Sequence, residues 1–252
     1  MGRIDFSVSN HIATIILDNP SKRNAVDAPM RAGLDEAYAE VRDNDEIRVA
    51  IIRGAGDLAF CSGGDIDGYH ALGAFGPEGV GPPAIPRPWP IWKPFIAAIK
   101  GYAVGGGFAL ALACDLRVAG KGATVGPSGL RRGAVQGAQQ SQRLTRLIGL
   151  SKALELLLLS KYVSGSDAAS MGLVQSVVED ADVFDAAQEW ATTIAGYSPW
   201  AVSKTKQLAY EGLHLPFDEA FSREATVAAE GYLRPDAAAA FTAFAARKEP
   251  KP

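Results

Sequence analysis

An α/β fold with a helical tail is the class this sequence predicts, on three observations. Strand-like apolar runs alternate with helical patterns from Ile4 to about Val178. Within that stretch a strand-strand-helix rhythm recurs, although no fixed-period sequence repeat underlies it. From Val183 onward the pattern is helical throughout, and such a change of rhythm separates a mixed α/β body from a helical one. With 252 residues, 48% of them hydrophobic, the chain can bury one large core or two small ones.

The elements follow in order. Ile4, Phe6 and Val8 alternate as in a half-buried strand, and HIATIIL follows a turn at Ser9-Asn10 as its partner. The polar loop DNPSKRNAVD leads to a helix over Ala28 to Asp43, with Met30, Leu34, Ala37 and Val41 on one face. RVAIIRG (48–54) holds a short apolar run, as a buried parallel strand does. GAGDLAFCSGGDID then forms a glycine-rich loop opening a short helix. Residues 71–94 are rich in Gly and Pro and end in PAIPRPWPIWKP, the composition of a flexible, lid-like loop. PFIAAIKGYAV is strand-like, GGGFALALA helical and CDLRVAG strand-like again. Beyond the turn region GPSGLRRGAVQG, helices are predicted over 138–148 and in SKALELLLLS, the latter capped by Ser151. SGSDAASMG is a short capped helix ending at Gly172, before the strand LVQSVV. Ser198-Pro199 is a cap and first-turn pair, and the last helix runs from about Pro235 to Arg247.

Composition excludes several function classes. A formal charge of −3 with no basic stripe argues against a nucleic-acid surface. Phe95 to Cys114 has the length of a membrane span, but it contains Lys100 and four glycines and runs into Asp115. A buried segment of a soluble protein is expected instead, with no membrane partner. Cys61 and Cys114 match no metal or disulfide spacing, and MGRIDFSVSN lacks the apolar region of a signal peptide. A reduced, cytoplasmic setting is therefore expected.

Two glycine loops each enter a helix: CSGGDI (61–66) and VGGGFAL (104–110). Helix N-termini leave amide donors unpaired and carry partial positive charge. Two of them converging on one point would hold an oxyanion, with no Cβ to keep the ligand oxygen away. Tight turns or close helix–strand packing are the other use of such glycines. GAGDLA (54–59) fits a dinucleotide fingerprint after a strand, but FCSGGD interrupts the helix that fingerprint needs. No P-loop pattern is present.

DNPSKRNAVD, AFCSGGDI, KPFIAAIKGYAVGGGFALALACDLRVA and QSQRLTRLIG occur in that order, followed by DAASMGLVQSVV and AFTAFAARKEPKP. Together they resemble the enoyl-CoA hydratase/isomerase family, also called the crotonase family, over essentially the whole chain. The resemblance implies a crotonase-like spiral of β-β-α units (1–195) and a C-terminal helical region (196–252) for oligomerisation and pocket completion. It implies homotrimers or dimers of trimers, an acyl-CoA thioester as ligand, and no metal or cofactor, CoA being part of the substrate. The thioester oxygen belongs between the Gly64 and Gly106 amides, where enolate-like charge develops. Lys22, Arg23 and Ala25 are implied to run along the CoA nucleotide, although a solvated turn explains the two cations equally well. Ser62 and the run Gly64, Asp65, Ile66 and Asp67 are implied to line the pantetheine and thioester. Arg247 and Lys248 are placed to meet CoA phosphate or to fray as a basic tail.

The chain departs from this family where proton transfer is expected. Family hydratases use two glutamates; the matching positions here are Ala109 and either Gly129 or, with a one-residue slip, Ser128. Between Glu78 and Glu155 the only carboxylate is Asp115, which reads as a buried hydrogen-bonding residue. A positioned acid or base contributes roughly 10²–10⁴-fold, so standard hydration is not expected. Asp65, Asp67, Tyr69 and His70 are the substitutes; histidine is the residue type suited to moving protons near neutral pH, but His70 also fits a surface site. Ser128, Gln136, Gln139 and Gln140 can orient water or a polar acyl group, or serve as caps and surface. Arg131 and Arg132 suit a carboxylated acyl group or a solvated or subunit-contacting pair, and Cys61 reads as a small buried thiol. The expected activity is an acyl-CoA thioester enzyme under the enoyl-CoA hydratase/isomerase label, a lyase or isomerase, stabilising an enolate-like oxyanion; a decarboxylase, isomerase or thioester hydrolase on the same scaffold stays open. A non-catalytic acyl-CoA binding protein is the alternative.

Overall fold

The computed structural model describes residues 1–71 and 91–246, without the side chains of Tyr69 and Ala71. Most of the 71–94 loop, the side chain of Tyr69, and Arg247 and Lys248 thus lie outside the described residues. The chain begins with the antiparallel pair β1 (Arg3–Ser9) and β2 (Ile12–Asp18), in register Ser9↔Ile12. The two turn residues are Asn10 and His11 at φ 51° and 67°, one position later than expected. Left-handed conformations at both central positions match the right-handed twist of the flanking strands. Helix α1 (Ala28–Asp43) follows, its first turn capped by Asp27, which accepts from the Met30 amide at 3.0 Å. Met30, Leu34, Ala37, Tyr38 and Val41 are its buried face.

Three units then share one plan. The strand pairs β3 (Val49–Gly54) and β4 (Ala59–Cys61), β5 (Phe95–Ile99) and β6 (Tyr102–Val104), and β7 (Leu116–Gly120) and β8 (Thr124–Gly126) each precede a helix. Those helices are α2 (Ile66–Ala71), α3 (Gly106–Ala113) and α4 (Gln140–Ile148). The first strand of each pair joins a six-stranded sheet, β1-β2-β3-β5-β7-β10 with β10 at Ser176–Val178, parallel from β2 onward. The second joins a four-stranded sheet, β4-β6-β8-β9. This is the β-β-α spiral that the resemblance implies. PFIAAIKGYAV is two strands in two sheets, turned at Gly101 with φ 64°.

Helix α4 starts two residues later than predicted because Ala138 and Gln139 adopt φ 50° and 65°, outside helical space. In α5 (Leu150–Leu158) the capping position is Gly149, at φ 77°, so Ser151 lies inside the first turn and is not the cap. The strand β9 (Val163–Ser164) feeds α6 (Gly165–Ser170), whose Asp167 amide donates to Ser164 Oγ at 3.0 Å. Strand β10 spans Ser176–Val178 only; Leu173 and Val174 instead donate to the Ala168 carbonyl that ends α6.

Alternate residues of β3 enter two cores. Ala50 and Ile52 face the larger one, with Met30, Leu34, Phe60, Phe95 and Phe108. Val49 and Ile51 face α7 (Val183–Ala195), which buries Val183, Ala187, Ala191 and Ala195 on the six-stranded sheet. Burial on both faces is why this strand reads as a continuous apolar run. The remaining helices, α8 (Pro199–Gly212), α9 (Phe217–Tyr232) and α10 (Pro235–Ala246), contain no buried residue. Ser198 caps α8 through the Ala201 amide, with Pro199 in the first turn, as predicted. Among the described residues no helix is long and apolar enough to cross a membrane.

Candidate active site

Strands β4, β6 and β8 are parallel neighbours, and Cys61, Ala103 and Val125 lie on one row of their register. Gly64 and Gly106 each come three residues beyond that row, past the carboxyl ends of the strands. That is the edge where sheets of parallel strands place their ligands. The two loops touch through backbone: a Cβ built on Gly63 would lie 3.1 Å from the Gly106 nitrogen. Gly64 pairs with Val26 as an isolated parallel bridge, Val26 N donating to Gly63 O and Asp65 N to Val26 O. In such a bridge the amide of the central residue points away from its partner strand. Gly106 opens α3, so its amide is one of the helix's unpaired donors. Among the described residues neither amide finds a hydrogen-bond acceptor.

The flanking glycines explain why the run is three long. Gly105 sits at φ 57°, ψ −119°, and a Cβ there would meet Ser128 Oγ at 2.5 Å. A Cβ on Gly107 would fall 2.0 Å from the Cys61 carbonyl oxygen. Side chains on either side would drive α3 off β4 and move the amide between them.

The loop preceding α1 is stitched to the first glycine loop. Ser62 N donates to Arg23 O at 3.0 Å and Ser62 Oγ to Lys22 O at 3.1 Å. Lys22 Nζ lies 2.5 Å from Asp65 Oδ2, and this hydrogen bond raises the lysine pKa above its ordinary value. Asp65 Oδ1 also receives the Gly68 amide at 3.4 Å, so the carboxylate steadies the start of α2. Lys22 thus pairs with Asp65, and Ala25 is buried beside them. The Arg23 guanidinium stands over the Tyr102 ring, 5.2 Å from its centroid. Ile66 and Asp67 are exposed on the first turn of α2, and His70 is exposed on its last.

Asn24 carries no signal beyond its place in a turn loop, yet it holds this wall together. At φ 55° and 1% exposed, it accepts from Asn19 N and donates to the carbonyls of Ala55 and Ala59. An asparagine tolerates left-handed backbone and bonds locally, the one hint the sequence offered.

The positions expected to carry carboxylates are packed otherwise. Ala109 is buried in α3. A Cβ on Gly129 would lie 2.8 Å from Gln136 Oε1 and 2.9 Å from Ala134 O, so no glutamate fits that register. Ser128 is the residue that faces Gly105. Asp115 has the hydrogen-bonding role expected of it but is only partly buried: it accepts from Phe95 N at 2.7 Å and Tyr210 OH at 2.8 Å, and pairs with Lys206 at 2.7 Å. Lys206 and Tyr210 belong to α8, so this lock docks the helical tail on the sheet; nothing in the sequence announced it.

Other candidates have structural partners. Gln136 bridges Gly129 N to Ser160 Oγ, Gln139 accepts from Arg143 Nε, and Gln140 donates to Gly137 O. Arg131 and Arg132 are both exposed, and Arg131 also donates to Ser160 O at 2.6 Å and stacks on Tyr162. Burial pushes the Cys61 and Cys114 thiols up to about 12, which keeps them protonated and inert. A cleft of about 950 Å³ lies among α8, α9 and α10, against Trp200, Leu208, Tyr232 and Phe241, and none of the candidate site residues lines it.

The sequence matches the family described as enoyl-CoA hydratase/isomerase over residues 7–251. It is 38% identical to the (E)-benzylidenesuccinyl-CoA hydratase of Thauera aromatica over 219 residues, 85% of each chain. It is 30% identical to the short-chain-enoyl-CoA hydratase of Clostridium acetobutylicum, over 94% of this chain and 92% of that one. Among solved structures, the enoyl-CoA hydratase of Bacillus anthracis superposes with a TM-score of 0.88 at 28% identity, covering 99% and 98% of the two chains. That of Mycobacterium tuberculosis gives 0.87 at 30% identity over 99% and 98%. Motif order, spiral topology and these likenesses agree: the chain belongs to the enoyl-CoA hydratase/isomerase family, whose members are enzymes acting on acyl-CoA thioesters.

Proposed function

We propose that this protein binds an acyl-CoA thioester and holds its carbonyl oxygen between the Gly64 and Gly106 amides, stabilising an enolate. The observation that carries this reading is the pair of unpartnered amides on adjacent strands, with the loops in backbone contact. Each such donor is worth roughly 3–4 kcal/mol where charge develops in the transition state. CoA enters as part of the substrate and no cofactor is invoked. Lys22, Arg23 and Ala25 run along its nucleotide, while Ser62, Asp65, Ile66 and Asp67 flank the pantetheine.

Ala109 and Ser128 stand where a hydratase would carry its two glutamates, so the reaction is one that needs chiefly oxyanion stabilisation: isomerisation or decarboxylation through an enolate, or thioester hydrolysis. In the last, water adds to the carbonyl and the tetrahedral oxyanion expels the CoA thiolate. His70, exposed at the end of α2, is the titratable group proposed for proton transfer. A non-catalytic acyl-CoA binding role is the second reading, favoured by the same missing carboxylates. Crotonyl-CoA turnover, followed by loss of enoyl-thioester absorbance beside a binding titration, separates the two when extended to malonyl- and dienoyl-type thioesters. Turnover of any of them supports the enzyme; binding without turnover across the panel supports the second reading. Unchanged turnover in His70→Ala removes that residue from the mechanism.

The helices from residue 196 onward serve assembly and pocket completion in a homotrimer or dimer of trimers. Their exposed Phe217, Phe221, Tyr232, Leu233, Phe241 and Phe244 support this. A stable monomer in light scattering argues against it. Two buried free thiols fit a reducing, cytoplasmic setting.

A further inference from the structure

The register row that places Gly64 and Gly106 continues to a third strand. Val125 of β8 pairs with Ala103 of β6, and Ser128 lies three residues beyond it, as Gly106 lies beyond Ala103 and Gly64 beyond Cys61. Three neighbouring parallel strands therefore deliver Gly64, Gly106 and Ser128 to one edge. The Ser128 hydroxyl turns inward along that edge: its Oγ is 2.5 Å from where a Cβ of Gly105 would be. The Ser62 carbonyl oxygen, on the opposite loop, is 3.9 Å from the same point. Ser128 is 7% exposed. Although it precedes the turn Gly129–Arg132, its side chain makes no capping hydrogen bond, and among the described residues its Oγ has no partner. Its Oγ is not one of the fully buried side-chain atoms that lack a partner, so the hydroxyl is accessible from this edge, where it can donate to a ligand.

We infer that Ser128 is the third hydrogen-bond donor of this site, its Oγ–H touching the enolised acyl group that the Gly64 and Gly106 amides hold. The inference rests on the enolate reading of those amides and adds a neutral donor at the position where a carboxylate is missing. A hydroxyl there cannot abstract a proton as a carboxylate does, but it strengthens binding of the charged enolate over the neutral thioester. Serine hydroxyls serve this purpose in other oxyanion sites. The acyl groups favoured are those that enolise readily, with an oxygen substituent on the β-carbon.

Acetoacetyl-CoA is the probe, because its enolate absorbs in the near ultraviolet and reports ionisation without turnover. The wild-type protein should bind it and lower the pH midpoint of its enolisation relative to the free ligand. Ser128→Ala should raise that bound midpoint by about 1–2 pH units, the range expected for losing one hydrogen bond to a charged acceptor. Ser128→Thr, which keeps the hydroxyl, should restore most of the shift. Butyryl-CoA, which lacks the β-oxygen and stays neutral, should bind wild type and Ser128→Ala within about twofold, the small change expected when no charged acceptor is present. An unchanged midpoint in Ser128→Ala overturns the Ser128 inference and leaves the enolate reading standing. Equal loss of butyryl-CoA and acetoacetyl-CoA affinity overturns it too, by showing a structural role. A wild-type midpoint equal to that of free ligand overturns the enolate reading itself.

Discussion

Two regions of the edge beyond β4, β6 and β8 are built from opposite materials. The Gly64–Gly106 pair is made of main chain, held by strand register, by the stitch between residues 22–26 and 62–65, and by close contacts at the neighbouring Gly63, Gly105 and Gly107. The positions proposed for proton transfer, Ala109 and Ser128 or Gly129, depend on side chains, and none of these residues is a carboxylate. Changing the first region means deforming two strands; changing the second takes single substitutions that leave the fold intact. A scaffold divided this way keeps its electrostatic part while its acid–base part is free to vary.

The largest expected effect breaks the main-chain region. Gly107→Ala places a Cβ 2.0 Å from Cys61 O, a backbone atom that cannot yield without opening the β4–β6 pairing. A loss of about 3 kcal/mol in urea unfolding is expected, the upper range for overpacking. A variant as stable as wild type would show that α3 and β4 are less tightly joined than described.

Next comes a gain of function in the side-chain region. Ala109→Glu combined with Ser128→Glu should raise crotonyl-CoA hydration by about 10²-fold or more, the contribution of positioned acid–base groups. Gly129→Glu in place of Ser128→Glu should give no gain and lower stability, because its Cβ would lie 2.8 Å from Gln136 Oε1. The reverse ranking of the two would return the register to Gly129.

Asp115 sharpens the same contrast, being the only carboxylate between Glu78 and Glu155. Its oxygens are committed to Phe95 N, Tyr210 and Lys206, the last at 13% side-chain exposure. Asp115→Ala should cost about 3 kcal/mol, as breaking one side of a buried pair does, while turnover per folded molecule stays at the wild-type level. A drop in turnover with unchanged unfolding would make Asp115 part of the chemistry.

The smallest effect concerns Lys22 and Asp65. The folded protein raises the lysine pKa, so this pair stabilises the fold fully below the ordinary lysine pKa and loses its contribution as pH rises through the folded value. The stability difference between wild type and Lys22→Met should therefore shrink in the alkaline range above about 10.4. A difference that grows with pH would mean the pair is not what raises the lysine.

Much of this was legible in one dimension. Period-2 and helical patterns located β1 and α1, and a short apolar run located β3, because residues such as Met30, Leu34 and Val41 bury one face whatever surrounds them. Glycine runs marked the two loops. Short strands were harder: β4, β6 and β8 have three residues each, too few for a period to show. Helix starts at Gln140 and Leu150 moved because left-handed residues before them are set by loop packing. The Lys206–Asp115 lock joins residues far apart in the chain, and no local pattern reports such a pair.

By itself the sequence determined the family, the ββα rhythm, the amide-bearing glycines and the absence of glutamates, all of which are properties of residue identity and order. Tertiary structure alone decided that Gly64, Gly106 and Ser128 share a row, that Gly129 has no room for a side chain, and that Asp115 is committed to α8. Those are matters of strand register and of distance between segments remote in sequence, and both are settled only when the sheets assemble.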